Sequence, residues 1–381
     1  MKNLVFKTIA VLMNLFVVLL AVEVYVRVKQ GDLSQFKARE MQYRRADFRF
    51  DHSFIPGAKA SCVTQEWDVP YSINSMGFRD HEYGKKPAGT FRVLMIGDSY
   101  TEGYGVKLED SFIKVLEKEL NDHDSSKKYE VVNGAIASYS PLLEYIFISQ
   151  KALSVEPDVV VLVYDYGDLK DDYEYEKTTT FENGLPVKAT PYQRAWTPNA
   201  TAFQRFLIRH FRAYLYLDNK LNKMAFKWQN RQRQFQNEYT DETPHDSFIV
   251  FRPGQEENVK KLWVRNEKYL DLIHRHLKER GIPLVLVSYP YGIQLGAEEW
   301  SEGRLTQGFK TGVVYPQPEH VHSIEKFCQE RDIPFVNLYD GMAARYSFPL
   351  QYKFDGHLNP KGHRLMGEVL YEELVKRKVT G

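Results

Sequence analysis

Short apolar runs alternate along the chain with stretches in which apolar residues recur at helical spacing. Five runs have the length and composition of buried strands, at 93–96, 129–132, 159–164, 283–288 and 334–338. Helical stretches follow them at about 110–120, 141–153, 257–280, 318–330 and 360–376. Residues 159–164 are apolar at nearly every position, as expected of a strand covered on both faces. Because strands and helices alternate, the pattern predicts an α/β domain with a doubly wound parallel sheet.

A second hydrophobic pattern occupies the N-terminus. Lys2 and Lys7 precede an apolar stretch at 9–28 in which Glu23 and Arg27 are the only charged residues. Its length reaches the roughly 20 residues of a bilayer span. The end of the stretch is a poor match to the small residues of a signal-peptide cleavage site. The pattern therefore predicts an uncleaved signal anchor over residues 1–29.

The composition acts mainly by excluding classes of protein. The 381 residues carry a formal net charge of +1, so no general argument exists for binding nucleic acid. The two cysteines, Cys62 and Cys328, exclude a disulfide framework and a cysteine-based zinc cluster. One bridge between them and two unrelated thiols remain alternatives.

The first predicted strand runs directly into the sequence GDSYTEG at 97–103. Ser99 is thereby placed in a turn between the C-terminal end of a strand and a helix, which is where open α/β sheets bind ligands. Asp and Ser also cap helices routinely, so the turn alone is explained equally well by capping. Ser99 becomes a candidate nucleophile only if the chain supplies a base elsewhere.

A base and its partner stand near the C-terminus, in the sequence FDGHLNPKGH at 354–363. Asp355 and His357 supply the carboxylate and the imidazole that activation of a serine requires. The pair immediately precedes a helix that is predicted to be capped by Asn359 and to have Pro360 in its first turn.

The other histidines are interpreted structurally. His363 fits packing or capping better than catalysis. His274 with His276, and His320 with His322, fall on predicted helices, where residues two positions apart do not share a face. No metal and no cofactor is therefore predicted.

Taken together, the two blocks resemble those of SGNH (GDSL-type) hydrolases. The Gly-Asp-Ser sequence, with Thr101 and Gly103 shortly after it, is similar to the family's nucleophile block. The Asp-x-His spacing is similar to the branch that contains polysaccharide O-acetyltransferases, whereas the commonest hydrolases have Asp-x-x-His. The lead-in around Asn74, with Arg79 and Asp80, resembles that of membrane-anchored members. Two interpretations are equally good: these two residues pin the turn to the domain, or the segment is an ordinary surface turn.

The resemblance implies a flavodoxin-like, five-stranded parallel sheet and a serine mechanism without a metal or cofactor. In this mechanism Ser99 is the nucleophile, His357 is the general base and then the general acid, and Asp355 orients His357. The resemblance covers residues 70–377 as an SGNH hydrolase-like domain, and residues 30–69 are interpreted as a juxtamembrane linker.

The resemblance also implies an oxyanion hole with three donors. The backbone N–H of Ser99 would be the first, and alignment on Asn133 places the N–H of Ser138 as the second. Alignment on Asp168 places Gly167 where the family has an Asn, so a side-chain donor is lost there. Loss of one such donor typically costs about 3–4 kcal/mol of transition-state stabilisation. The hole is therefore predicted to consist of Ser99, Ser138 and Gly167 with weaker hydrolysis, or with another donor.

A segment at about 173–256 lacks the alternation of strand and helix and is interpreted as a helical insertion. Within it, residues 203–236 are basic and have an apolar face at helical spacing. Packing on the domain is the simplest interpretation, and a membrane-surface helix or a cleft for an anionic polymer are the alternatives.

An acidic run precedes and enters this segment. Its members are Asp165, Asp168, Asp171, Asp172, Glu174 and Glu176. A solvated loop is favoured for this run over a metal site.

These patterns predict a membrane-anchored serine esterase that acts on O-acyl esters, first of all O-acetyl esters, through an acyl-enzyme. An O-acyltransferase of a cell-surface polysaccharide and a catalytically weak scaffold or polysaccharide-binding protein are the alternatives. Lys2 and Lys7 favour a cytoplasmic N-terminus, and basic residues between 27 and 45 favour the reverse. With the resemblance, we expect a single-pass protein whose catalytic domain is extracytoplasmic, on the periplasmic or cell-surface side.

Overall fold

The computed structural model describes residues 2–29, 43–63, 66–191, 207, 211, 213–214, 217 and 246–379. Its strands are β1 Arg44–Asp47, β2 Asp51–Phe54, β3 Lys59–Val63, β4 Asp68–Ser72, β5 Thr90–Ile96, β6 Lys128–Asn133, β7 Val159–Tyr164, β8 Thr179–Glu182, β9 Leu185–Ala189, β10 Leu284–Ser288 and β11 Phe335–Asn337. Its helices are α1 Lys2–Lys29, α2 Ser99–Glu102, α3 Phe112–His123, α4 Pro141–Gln150, α5 Asp168–Glu176, α6 Glu256–Lys278, α7 Gly292–Leu295, α8 Gly303–Thr306, α9 His320–Arg331, α10 Tyr339–Ala344 and α11 Pro360–Lys376.

Five parallel strands form the central sheet, in the order β11-β10-β7-β5-β6. This order confirms the doubly wound, flavodoxin-like architecture, because the first strand along the chain lies between the second and the third. All six residues of β7 are buried, which explains why its sequence is apolar throughout. The order reverses between β5 and β7, so the crevice that binds ligands in such sheets lies at the carboxyl ends of these two strands.

The helices around the sheet form two packed groups. In one group α3 packs against α11 and β6, and in the other α4 and α5 pack against α6. Gly367 on α11 allows a close approach to α3, because an added Cβ there would lie 2.7 Å from the side chain of Val115. The five predicted strands and the five predicted helices are all present within a few residues of their expected bounds, so the α/β prediction is confirmed.

Two small antiparallel hairpins, β1–β2 and β3–β4, precede the sheet. Tyr43, Phe54, Trp67 and Tyr71 are buried from this segment into the main hydrophobic core. Residues 43–63 and 66–69, within the range that was interpreted as a juxtamembrane linker, therefore contribute to the packing of the domain. The strands are only four or five residues long, and three of the four residues of β1 are charged, so the sequence gives each strand little periodic signal.

The acidic run also differs from its prediction as a solvated loop. It forms the start and body of α5, in which Asp168 and Asp172 are buried, and Asp165 just before the helix is buried as well. Asp172 accepts hydrogen bonds from the N–H of Leu142 at 2.9 Å and the amide of Asn266 at 2.5 Å. Burial raises the pKa of Asp172 to about 7. These carboxyl groups are part of the packing between helices and not of a solvent-facing loop.

The predicted insertion begins within the last turn of α5 and continues as the β8–β9 hairpin, which bridges to Phe50 through Ala189. Its described first part is therefore not purely helical. The amphipathic stretch at 203–236 lies almost entirely outside the described residues.

Helix α1 contains a span, Phe6–Val26, with a mean hydropathy of 2.5. It is long and apolar enough to cross a membrane, and by length and composition it is either an anchor or a signal sequence. Cys62 and Cys328 are both buried thiols, and Cys62 Sγ lies 3.4 Å from the indole nitrogen of Trp67.

Candidate active site

Ser99 is the first residue of α2, a single helical turn that begins directly after β5. Asp98 caps this turn, because its side chain accepts the N–H of Tyr100 at 3.0 Å. Gly97, at φ +156°, has no room for a side chain, since a Cβ would lie 2.4 Å from the hydroxyl of Thr101 and 3.0 Å from the carbonyl oxygen of Val163. The Gly-Asp-Ser sequence thus turns the chain sharply at the carboxyl end of the sheet.

The structure brings the three predicted triad residues together. Ser99 Oγ lies 2.8 Å from His357 Nε2, although the two residues are 258 positions apart. His357 Nδ1 is hydrogen-bonded to Asp355 Oδ1, and the same carboxylate oxygen accepts the backbone N–H of His357 at 3.2 Å. A serine hydroxyl, an imidazole and a carboxylate therefore lie in one hydrogen-bonded line, which is the arrangement that nucleophilic catalysis by serine requires.

The loop that carries Asp355 and His357 is shaped by its own sequence. Gly356, at φ +90°, packs so closely on Trp300 that a Cβ would lie 2.7 Å from the indole. Asn359 caps α11 by accepting the N–H groups of Lys361 at 2.9 Å and Gly362 at 3.0 Å, as predicted. These features end the loop immediately after His357 and fix the direction in which α11 leaves it.

Charge around His357 favours its protonated form. Burial opposes protonation, but the Asp355 carboxylate, with smaller contributions from Asp98 and Asp165, outweighs burial and raises the pKa of His357. Burial likewise opposes ionisation of Asp355, but the charge and hydrogen bonds of His357 lower the pKa of that carboxyl. Burial and the neighbouring Asp165 raise the pKa of Asp98 well above its usual range. The imidazolium that forms during proton transfer is therefore stabilised where it lies.

Two backbone N–H groups near the nucleophile remain available. Within the described part of the chain, those of Ser99 and Ser138 donate to no protein acceptor. The two backbone N–H groups before Ser138 already have acceptors. That of Ile136 donates to the carbonyl oxygen of Gly97 at 3.1 Å, and that of Ala137 donates to the carboxylate of Glu102 at 2.7 Å. Ser138 itself lies in the left-handed region, at φ +66°. Two of the three predicted oxyanion donors are thus unoccupied.

The third predicted donor is occupied. The N–H of Gly167 donates to Asp165 Oδ1 at 2.6 Å, within its own turn. Asp165 also accepts the hydroxyl of Tyr289, and that of Tyr291 at 2.8 Å. The backbone N–H of Gly167 is therefore not available as an oxyanion donor. The sequence analysis identified neither tyrosine, because both follow β10, more than 120 residues from Asp165.

Arg79 pins the lead-in to the end of α2 and the residues after it, and Asp80 pins it to α3, as the first of the two interpretations predicts. The Arg79 guanidinium donates to the carbonyl oxygens of Glu102 at 2.9 Å, Gly103 at 2.6 Å and Val106 at 2.5 Å. Asp80 accepts the ammonium of Lys114 at 2.9 Å.

Glu102, the last residue of α2, was not recognised from the sequence as part of the site. It is fully buried and is bound by the guanidinium of Arg44 and, at 3.1 Å, by the hydroxyl of Tyr71. Its only sequence signal was its place in GDSYTEG.

His363 and His320 are both buried and hydrogen-bonded to neighbouring residues, and His363 has the packing role that was predicted for it. His363 is buried against Phe112, accepts that residue's N–H at 3.3 Å and has a pKa that burial lowers to about 3. His320 is 3.0 Å from the hydroxyl of Tyr164, and burial lowers its pKa to about 3 as well. Among the described residues, no group of three or more His, Cys, Asp or Glu side chains has the geometry to hold a metal ion.

Comparison with known proteins finds similar folds at low sequence identity. No family model and no curated protein matches the chain. A structure described as a lipolytic protein of the G-D-S-L family, from Desulfitobacterium hafniense, is 16% identical over 74% of this chain and 99% of that one, with a TM-score of 0.38. An acetylxylan esterase from Geobacillus stearothermophilus is 13% identical over 76% and 96% of the two chains, with a TM-score of 0.39.

A two-domain esterase active on acetylated mannans is 13% identical over 77% of this chain and 51% of that chain, with a TM-score of 0.39. These identities are below 25% and these TM-scores below 0.5.

Proposed function

We propose that this protein is a serine esterase of the SGNH type that hydrolyses O-acyl esters through an acyl-enzyme. The observation that carries the proposal is the 2.8 Å contact between Ser99 Oγ and His357 Nε2, with Asp355 on the far side of the imidazole. A scaffold that had lost its chemistry would have no need to keep these three side chains aligned.

The first half-reaction acylates Ser99. Its oxygen attacks the ester carbonyl carbon while His357 Nε2 takes the hydroxyl proton. The tetrahedral intermediate carries a negative oxygen, which the N–H groups of Ser99 and Ser138 stabilise. The bond to the leaving oxygen then breaks, and His357 returns its proton to that oxygen, so that the alcohol departs and the acyl group stays on Ser99.

The second half-reaction repeats these steps with water. His357 takes a proton from the water as its oxygen attacks the acyl carbon, and the bond to Ser99 Oγ breaks as His357 protonates the serine. Throughout, the Asp355 carboxylate accepts the hydrogen bond from Nδ1–H of His357 and stabilises the imidazolium. A sugar hydroxyl in place of water would give acyl transfer, so the same site serves the alternative activity.

The proposed hole has two backbone donors and lacks the third. Since one such donor is typically worth about 3–4 kcal/mol, two donors give slower hydrolysis of an unactivated ester than a complete hole would. The deficit slows attack by water and by a sugar hydroxyl alike, so it does not distinguish the two activities. Acyl transfer is kept as a second candidate because the Asp-x-His spacing of Asp355 and His357 resembles the branch that contains polysaccharide O-acetyltransferases.

The location is proposed from α1. With Phe6–Val26 as a membrane anchor, the protein is single-pass and its catalytic domain lies on the extracytoplasmic side, where acylated cell-surface carbohydrates are available. A fusion reporter placed after residue 379 tests the side, and an active cytoplasmic reporter would overturn it.

The function is tested with the full-length protein in detergent and p-nitrophenyl acetate. We expect hydrolysis that Ser99→Ala abolishes and that Ser154→Ala, which changes an exposed serine, leaves intact. A fluorophosphonate probe should label the wild type and the Ser154 variant but not the Ser99 variant. Absence of both labelling and turnover in the wild type would overturn the serine mechanism.

A second arm separates esterase from transferase. Acetylated xylan and mannan extend the substrate panel, and oligosaccharide acceptors are added to the p-nitrophenyl acetate reaction. Release of nitrophenol in water alone supports hydrolysis. Release that rises steeply with acceptor, together with an acetylated oligosaccharide in the mass spectrum, would replace hydrolysis by acyl transfer as the principal activity.

A further inference from the structure

The loop at 353–357 is held through most of its backbone polar groups. The carbonyl oxygen of Phe354 accepts the indole N–H of Trp300 at 2.9 Å, and that of Gly356 accepts the Tyr100 hydroxyl at 3.0 Å. The carbonyl oxygen of His357 accepts the N–H of Tyr352 at 2.9 Å. These bonds come from three separate parts of the chain, so the position of the loop is determined by its surroundings.

A carboxylate completes this set of contacts. Glu66 accepts the N–H of Phe354 at 3.1 Å on one oxygen and the N–H of Asp355 at 2.8 Å on the other. Glu66 comes from the connection between β3 and β4, nearly 290 positions earlier. Hydrogen bonds to a charged acceptor are worth about 1.5–3 kcal/mol each, more than the neutral bonds elsewhere in the loop.

Glu66 is itself held in place by its neighbour Trp67. The Trp67 ring is buried and packs edge-on against Tyr104, with ring centroids 5.5 Å apart, and against Tyr352 at 4.6 Å. The Tyr104 ring in turn lies 5.0 Å from the ring of His357. The segment that carries Glu66 is thus packed against both the nucleophile side and the histidine side of the site.

We propose that Glu66 is a positioning residue for Asp355 and His357, an inference that rests on the proposed serine mechanism. Glu66 does not touch the reacting atoms. It fixes the backbone of Asp355, and with it the carboxylate that orients the imidazole. Gly356 gives this loop a freedom that other residues lack, so the loop needs external contacts to keep one conformation.

The same N-terminal segment also holds the other side of the site. Arg44 of β1 and Tyr71 of β4 bind Glu102, whose carboxylate in turn accepts the N–H of Ala137. The hairpins therefore fix the nucleophile turn and the Asp355 loop relative to each other, and a misplacement of about 1 Å at such a site can cost on the order of 100-fold in rate.

Kinetics of Glu66→Gln and Glu66→Ala test the proposal. Gln keeps one acceptor oxygen and Ala keeps none, so we expect kcat to fall about tenfold for Gln and up to about 100-fold for Ala, with KM little changed. Glu82→Gln is the matched control, because Glu82 also accepts a backbone N–H and a second donor, both from Ser75, but is exposed and remote from the loop. Its kcat should equal that of the wild type.

A double-mutant cycle distinguishes positioning from general support of the fold. If Glu66 acts through Asp355, Glu66→Gln lowers kcat in the wild type but has almost no further effect in Asp355→Asn. Equal losses in both backgrounds, or wild-type kcat for both Glu66 variants, would overturn the proposal. Thermal unfolding of each variant shows whether it is folded. If Glu66→Ala does not fold, the kcat of Glu66→Gln tests the proposal.

An arm that needs no turnover keeps the two proposals separate. The His357 ring is titrated by NMR in the wild type and in the Glu66 and Glu82 variants. We expect the midpoint of His357 to shift downward in Glu66→Gln, because Asp355 is no longer held against it, and to stay fixed in Glu82→Gln. An unchanged midpoint overturns the role of Glu66 even if the esterase proposal holds. A shifted midpoint in a protein without esterase activity overturns the esterase proposal alone.

Discussion

The hydroxyl of Tyr100 donates to the carbonyl oxygen of Gly356 at 3.0 Å, so the residue after the nucleophile holds the residue before the histidine. The Tyr100 ring also lies 4.7 Å from the ring of His357. One side chain thus joins the two halves of the site, which the sequence separates by 256 positions.

We expect Tyr100→Phe to keep the ring contact and lose the bond to Gly356. A neutral hydrogen bond contributes about 1 kcal/mol. If all of this free energy serves to align Ser99 with His357, its loss should lower kcat roughly fivefold. Esterase kinetics check this, with Tyr129→Phe as control, because the Tyr129 hydroxyl bonds Asp124 far from the site. Equal kcat for Tyr100→Phe and the wild type would show that the bond contributes nothing to alignment.

The raised pKa of His357 predicts where activity is lost in acid. A general base must be neutral, so kcat should fall as pH drops through a midpoint above the ordinary histidine value of about 6.5. Asp355→Asn removes the principal charge that raises this pKa. Its kcat should fall by on the order of 10⁴-fold, and the remaining activity should extend to lower pH.

The pH profile of each variant checks this expectation. Asp332→Asn, which removes an exposed carboxylate after α9, should leave the profile unchanged. An acidic limb of Asp355→Asn at higher pH than the wild type would contradict the assignment of the limb to His357.

The buried pair of Arg44 and Glu102 predicts a large loss of stability when one partner is neutralised. Glu102→Gln leaves the Arg44 charge uncompensated in the core, so the free energy of unfolding should fall by about 3–5 kcal/mol. Chemical denaturation measures it. Asp122→Asn is the control, since it breaks the exposed Lys118–Asp122 pair and should produce no measurable change.

Ser138 is proposed to act through its backbone N–H and not through its hydroxyl. Ser138→Gly keeps the N–H and suits the φ of +66° better than serine does. We therefore expect kcat within twofold of the wild type and stability equal or slightly higher. A tenfold loss of kcat with intact folding would assign a role to the hydroxyl instead.

The sequence was most informative where local pattern and chemistry coincide. Ser99 follows an apolar strand and His357 precedes a capped helix, and each relationship spans only a few residues. The alternation of strands and helices predicts a doubly wound parallel sheet, and the family resemblance implies its flavodoxin-like order, which brings the two blocks together at one edge of the sheet. For this reason the fold and the alignment of Ser99, His357 and Asp355 could be predicted from the sequence.

What could not be predicted depends on contacts between distant parts of the chain. Nothing near Gly167 indicates that its N–H is taken by Asp165, because that carboxylate is placed by tyrosines that follow a later strand. Glu66 lies in a stretch with no periodic pattern that would mark it. Its proposed role depends entirely on hydrogen bonds to a loop nearly 290 residues away. The acidic run was misjudged because composition does not distinguish a buried carboxylate from a solvated one.

Since the packed domain begins by Tyr43 and α1 ends at Lys29, the stretch of chain between them limits how far the domain can lie from α1. Fourteen Cα-to-Cα steps span at most about 50 Å when fully extended. With α1 in a bilayer, the active site then works within a fixed radius of the surface. Esters on long polymers would be reached only along the part that passes close to the membrane, so the tether would select substrates by distance as the site selects them by chemistry.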